Sequence, residues 1–129
     1  MGGRGELLSP QEIIDVMRYV RTLVRPLPAG MTPARLDVLV GQRIYSERCA
    51  VCHGARGDGR TPLGEHLLPH PHDFTKVREM TSTSDKELAD AITGGKPGTA
   101  MAAWRGVLNR DDVRRVILYI RRTLQAATP

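Results

Sequence analysis

The chain has 129 residues, a formal charge of +5, and among its large rings only one Trp, one Phe and three Tyr. That length supports one domain with an appendage, and so few rings leave a side-chain core short of apolar mass unless a bound apolar group completes it. No run approaches the ~20 apolar residues of a membrane-crossing helix, and the arginines are spread along helical segments with no nucleic-acid-binding motif beside them, which excludes nucleic acid as a partner.

Taken in order, the chain opens with Met1-Gly2-Gly3-Arg4-Gly5-Glu6 and runs straight into an amphipathic helix without a signal-peptide pattern. Ser9-Pro10-Gln11-Glu12 is a capping box with Pro at the first helical position, and Ile13, Val16, Met17, Val20 and Val24 follow at helical spacing. Pro26 and Pro28-Ala29-Gly30 close this helix as a linker. The expected division is therefore a helix and linker over residues 1–30 and a main domain over residues 31–129. Thr32-Pro33 caps a second helix, with Leu36, Leu39, Val40 and Ile44 expected on its buried side. A third, short helix starts at the capping box Ser84-Asp85-Lys86-Glu87, carries Leu88, Ala89 and Ile92, and stops at Gly94-Gly95. Asn109 caps the last, where Val113, Val116, Ile117, Ile120 and Leu124 form one stripe. No strand pattern is visible, so the fold class is all-α.

The first and last helices match at a fixed offset of 100 positions: Leu8-Ser9 with Leu108-Asn109, Ile13 with Val113, Val16 with Val116, Tyr19-Val20-Arg21 with Tyr119-Ile120-Arg121, and Met1 with Met101. Two readings stay open. The first helix is a docking element, or it is the remnant of an upstream, similar domain.

Between the second and third helices lies Cys49-Ala50-Val51-Cys52-His53, which uses both cysteines of the chain. C-x-x-C-H is the attachment signature of a c-type haem: two thiols form thioethers with the two vinyl groups of one porphyrin, and the adjacent imidazole becomes a proximal iron ligand. The spacing also suits a redox dithiol or half a zinc site. Zinc needs a fourth ligand, for which His66, His70 and His72 are available, and a thioredoxin-like dithiol wants a preceding strand that the pattern does not show. The stretch from Cys52 to Thr83 reads as mostly loop, rich in Gly, Pro, His and Asp, and suited to wrapping a cofactor. Candidates for a distal ligand are Met80, Met101 and the three loop histidines. Met101 sits in the irregular segment Gly98-Thr99-Ala100-Met101-Ala102-Ala103-Trp104, placed so that the chain can return on the distal face; Met80 is expected to pack in the core.

Residues 33–126 resemble a class I cytochrome c. The resemblance runs through Gly41 and Tyr45, Cys49-Ala50-Val51-Cys52-His53-Gly54, Gly57-Asp58-Gly59, Pro69-His70-Pro71-His72-Asp73-Phe74-Thr75, Ile92-Thr93-Gly94-Gly95, Gly98-Thr99-Ala100-Met101 and Tyr119-Ile120. It implies three to four helices around one covalent haem c, with His53 proximal and Met101 distal, and the extra N-terminal helix outside the pattern. It also implies that Gly41 lets Tyr119 approach closely beside Tyr45, that the carbonyl of Pro69 or Pro71 accepts the proton of the proximal imidazole, and that Trp104 packs near a haem edge. One departure stands out: where the family often has Pro after the methionine, this chain has Ala102.

With both axial positions filled the iron has no open substrate site, so the function implied is electron transfer rather than catalysis. The alternative is a ligand-binding or peroxidase-type haem with a displaceable distal ligand. Expected partners are redox proteins with acidic docking surfaces, steered by rim charges such as Lys96, Arg56 or Arg60, or a membrane-associated complex of which this chain is a subunit. Haem attachment of this type places the protein in the periplasm or otherwise outside the cytoplasm, with the export signal not in this chain.

Overall fold

The computed structural model describes residues 8–23 and 28–125, and the chain divides after Met31 into two compact units. The expected contributions of Met1, Val24 and Pro26 lie outside the described residues.

The first unit contains helix α1, Pro10–Leu23. Its capping box is formed: the Ser9 amide donates to Glu12 Oε2 at 2.7 Å and the Glu12 amide donates to Ser9 Oγ at 3.3 Å. None of its side chains is buried.

The second unit begins with α2, Pro33–Arg48, whose Thr32 cap accepts from the Arg35 amide at 3.2 Å. At Cys49 the chain bends and continues as the single turn α3, Ala50–His53. A looped segment with a 3₁₀ turn at Gly64–His66 follows, then α4, Val77–Ser82, and α5, Asp85–Gly94. Helix α6, Arg110–Tyr119, runs on into a π-helical turn, Ile120–Leu124. The capping boxes at Ser84 and Asn109 are both closed. Among the described residues the sole β pairing is an isolated bridge between Arg105 and Leu108.

Helices α2 and α6 cross at Gly41. A Cβ added there would drive into the backbone carbonyl of Arg115 and lie 3.2 Å from Tyr119 Cβ, so the missing side chain is what lets the two backbones meet. Tyr45, one turn on, packs against Tyr119 with ring centroids 5.3 Å apart. On the rim of the crossing Asp37 ties both Arg114 and Arg115, at 2.9 and 2.8 Å.

One expectation needs correcting, and one short helix adding. The buried face of α2 is carried by Gly41 and Tyr45 with Val38 beside them, whereas Leu36 and Leu39 are exposed and Val40 and Ile44 only half-buried. The closest-approaching surface of this helix is selected by its smallest residue rather than by its largest aliphatic ones. The stretch up to Thr83 is mostly loop and holds one short helix that the pattern did not announce, α4, which has no side-chain cap. It is fixed from outside: Met80 is fully buried and Arg121 donates to the carbonyls of Met80 at 2.6 Å and Thr83 at 2.5 Å.

Candidate haem site

The second unit encloses a cavity of about 760 Å³, within the range of roughly 300–1,000 Å³ usual for small-molecule and cofactor sites. Cys49, Cys52 and His53 line it from the α2–α3 bend, Pro69, Pro71 and Phe74 from the loop, Leu88 and Ile92 from α5, and Met101 and Trp104 from the segment before α6. Tyr45, Val116 and Ile120 complete the wall from the helix crossing. The C-x-x-C-H residues, Met101, Pro69, Pro71 and Trp104 therefore open onto one space; of the other distal candidates His70 and His72 also line it, whereas His66 and Met80 do not.

The proximal side is over-determined. Both thiols are free and half-buried. Burial first, and the neighbouring Cys52 second, push the Cys49 thiol up to about 11. Such a thiol is held neutral at ordinary pH. The His53 Nδ1–H donates to the carbonyl of His72 at 3.2 Å; a carbonyl can only accept, so the proton sits on Nδ1 and the lone pair on Nε2. Burial also lowers the His53 pKa, partly opposed by that hydrogen bond, which favours the neutral ring that can bind a metal. Phe74 stacks on the imidazole at 4.7 Å between centroids and 17° between planes, with the His72 ring 5.8 Å from Phe74.

The expected carbonyl is thus corrected. Pro69 and Pro71 both line the cavity, but the acceptor for His53 is the carbonyl of His72. The loop is locked in that position by backbone: the Phe74 amide donates to Gly57 O at 2.7 Å, the Gly59 amide to His53 O at 2.8 Å, and the buried Tyr45 hydroxyl to Gly54 O at 2.8 Å. Thr61 Oγ1 donates to Val51 O at 2.9 Å, inside the C-x-x-C-H turn itself.

Met101 lies on a segment bonded to the end of α5. The Trp104 amide donates to Ile92 O at 3.0 Å, the Arg105 amide to Thr93 O at 3.1 Å and the Lys96 amide to Met101 O at 3.1 Å. Trp104 is half-buried with the Arg48 guanidinium 5.8 Å above its ring. Of the expected rim cations only Lys96 lies on this cavity, beside Glu87 and Asp90; Arg56 pairs with Asp58 at 3.5 Å, and Arg60 lines a second, smaller cavity.

A flat, apolar macrocycle with two vinyl groups and an iron fits this donor set: two thiols, an imidazole with its lone pair on Nε2, and a thioether, all lining one space. The zinc alternative fits less well, because among the described residues no three His, Cys, Asp or Glu side chains converge as a metal site requires. Residues that sequence reasoning did not assign a part include Phe74, Leu88, Val116 and Thr99. The ring of Phe74 could have been suspected, being the chain's single Phe in the loop beside the histidines.

A family model described as "Cytochrome C oxidase, cbb3-type, subunit III" matches residues 36–120. The chain is 31% identical over 118 residues to the cbb3-type cytochrome c oxidase subunit FixP of Bradyrhizobium sp. (strain ORS 278), covering 92% of this chain and 37% of that protein. It is 32% identical over 90 residues to cytochrome c55X of Paracoccus denitrificans (strain Pd 1222), covering 70% and 76% respectively. Among solved structures, a chain of the Kuenenia stuttgartiensis reducing HAO-like protein complex Kustc0457/Kustc0458 shares the fold with a TM-score of 0.55 at 23% identity, over 75% of this chain and 44% of that one. The chain therefore spans just over a third of the FixP relative and about three quarters of cytochrome c55X.

Proposed function

The chain belongs to the cytochrome c oxidase cbb3-type subunit III family, and from that premise we propose that it carries a single haem c, bound covalently by Cys49 and Cys52 and coordinated by His53 and Met101. Its function is haem-based electron transfer. The observation that carries the ligand assignment is that both thiols, the imidazole and the thioether line one cavity of about 760 Å³.

When bound, haem c supplies a one-electron Fe(III)/Fe(II) couple. The protein's residues do the rest. His53, oriented by the His72 carbonyl and stacked on Phe74, would present one fixed nitrogen to the iron, and the hydrogen bond to that carbonyl raises its basicity as a ligand. Met101 offers a soft thioether, which favours the reduced state relative to a second imidazole. Tyr45, Leu88, Ile92, Val116 and Ile120 exclude water from the space, which keeps reorganisation on electron gain small. No side chain is asked to move a proton, in keeping with a carrier.

The FixP relatives are named as oxidase subunits, and we extend that role to this chain: a subunit that passes electrons to or within a membrane-associated complex outside the cytoplasm. Residues 1–30 are then an element distinct from the haem domain over 31–129. Its helix repeats α6 at the offset of 100, yet Val116 is 1% exposed and Tyr119 5%, against 50% for Val16 and 65% for Tyr19. We take this face, exposed in the first unit taken by itself, as the surface that a partner in the same assembly covers. Intact-mass measurement of protein made in a host with haem c maturation tests the attachment: one haem per chain is expected, retained in acid organic solvent, and lost in the double variant C49A/C52A. Two haems, or one that extracts freely, would refute it. Deleting residues 1–30 is expected to leave haem content and reduction potential unchanged while abolishing co-purification with the complex.

A further inference from the structure

The distal loop lacks the proline that the resemblance places after the methionine. Ala102 leaves φ unrestrained there, where proline would have fixed it near about −65°. Some other device has to hold Met101, because an unrestrained loop gives the thioether many conformations in which it does not face the cavity.

Residues 96–101 contain one. Pro97 and Gly98, the latter at φ +75°, occupy the two central positions of a turn closed by the Thr99 amide donating to Lys96 O at 3.1 Å; proline second and a left-handed glycine third is the type II pattern. The Thr99 hydroxyl donates to the same Lys96 carbonyl at 2.8 Å and accepts the Met101 amide at 3.1 Å. Among the described residues it is the one side-chain atom that ties the turn to the methionine backbone, and Thr99 itself lines the cavity. The loop is closed at its base by the Lys96 amide on Met101 O at 3.1 Å. That closure needs Gly95, at φ +70°, where a Cβ would lie 2.7 Å from Met101 O. The base is held by backbone at the Met101 carbonyl, and the Thr99 hydroxyl adds a second hold at the Met101 amide.

We propose that Thr99 is the positioning residue of the distal loop: its hydroxyl takes the place of the missing proline, holding the Met101 backbone so that the thioether leaves the cavity only when this bond opens. The proposal rests on Met101 being the distal ligand. The test uses the holoprotein with Thr99→Val, which keeps shape and removes the hydroxyl, and Thr99→Ser, which keeps the hydroxyl. Three quantities are read: the far-red band of sulfur on ferric haem, exchange of the Met101 amide in the ferrous protein, and the affinity of the ferric protein for added imidazole, which must displace the thioether. Loss of an ordinary hydrogen bond corresponds to roughly a five- to tenfold change. Thr99→Val is therefore expected to speed Met101 amide exchange and tighten imidazole binding by roughly that factor, Thr99→Ser to stay within about twofold of the parent, and Ala102→Pro added to Thr99→Val to restore the parent values. If the parent shows the sulfur band and Thr99→Val matches it in exchange and imidazole affinity, Thr99 has no positioning role. If the parent lacks the band, the ligand assignment itself falls and the proposal with it. Should Thr99→Val lose its haem, Thr99→Ala and Thr99→Ser carry the same comparison.

Discussion

Gly41→Ala puts one methyl group at the place where α2 and α6 touch. Its Cβ would lie 2.6 Å from the carbonyl carbon of Arg115, and the contact is backbone, which cannot rotate away. Ordinary carbon contacts sit at about 3.5–4.0 Å, so the helices must part by about 1 Å. Parting strains the Asp37 links to Arg114 and Arg115 and loosens Tyr45 against Tyr119. Overpacking of this kind costs about 1–3 kcal/mol and sometimes more, and the absence of any movable neighbour puts this case at or above about 3 kcal/mol. Alanine is the better helix former by about 1 kcal/mol, so a net loss of about 2 kcal/mol is expected. For a domain of this size that corresponds to a fall of about 8–16 °C in melting temperature, measured by circular dichroism on the holoprotein beside denaturant titration. If Gly41→Ala melts at or above the parent temperature, propensity outweighs packing and the crossing is not held at this glycine.

Three further outcomes follow from single contacts. Tyr45→Phe removes the hydroxyl that donates to Gly54 O at 2.8 Å, yet that carbonyl keeps the Gly57 amide, so the loss should be about 1 kcal/mol rather than a full desolvation penalty, read as a shift in denaturant midpoint. Arg121→Gln strips the cation from Asp85 and from the carbonyls of Met80 and Thr83; hydrogen bonds to charged groups are the stronger kind, and about 2 kcal/mol should be lost, with amide exchange rising in α4 before α6. Asp37 has its pKa held below the usual carboxylate value by Arg115 first and Arg114 second. Its stabilising contribution is therefore complete above the unfolded-state pKa near about 4 and disappears as pH falls through the lower folded value. Unfolding of parent and Asp37→Asn should differ at pH 7 and converge in acid; a gap that persists or widens there would contradict the assignment.

What the sequence disclosed was local chemistry. The capping boxes at Ser9, Ser84 and Asn109 could be read directly because each uses residues three positions apart, and the C-x-x-C-H turn pointed to haem c within five successive residues, with the rest of the resemblance deciding against the dithiol and zinc readings that its spacing also suits. Features set by distant partners were out of reach. Helix α4 has no cap and is fixed by Met80 burial and by Arg121, 41 positions from Met80. The carbonyl that orients His53 belongs to the backbone, which every residue has, so nothing in the residue type at 72 marked it over the prolines at 69 and 71. Periodicity put the buried face of α2 on four aliphatic residues; only the resemblance singled out Gly41, and in three dimensions that glycine decided where the helix could be approached. Thr99 escaped notice for the opposite reason: in sequence it is an ordinary loop threonine, and its part depends on both ends of a turn being in place.

The most direct test of a covalent haem with His53 and Met101 as ligands is the optical spectrum of the purified holoprotein, oxidised and reduced, alongside Met101→Ala. A pyridine haemochrome of the c type, a far-red sulfur band in the ferric parent that vanishes in Met101→Ala, and a reduced spectrum unchanged by carbon monoxide until that methionine is removed are the predicted results. A parent without the sulfur band, or one whose reduced form binds carbon monoxide at once, would contradict the electron carrier with a filled coordination sphere described above.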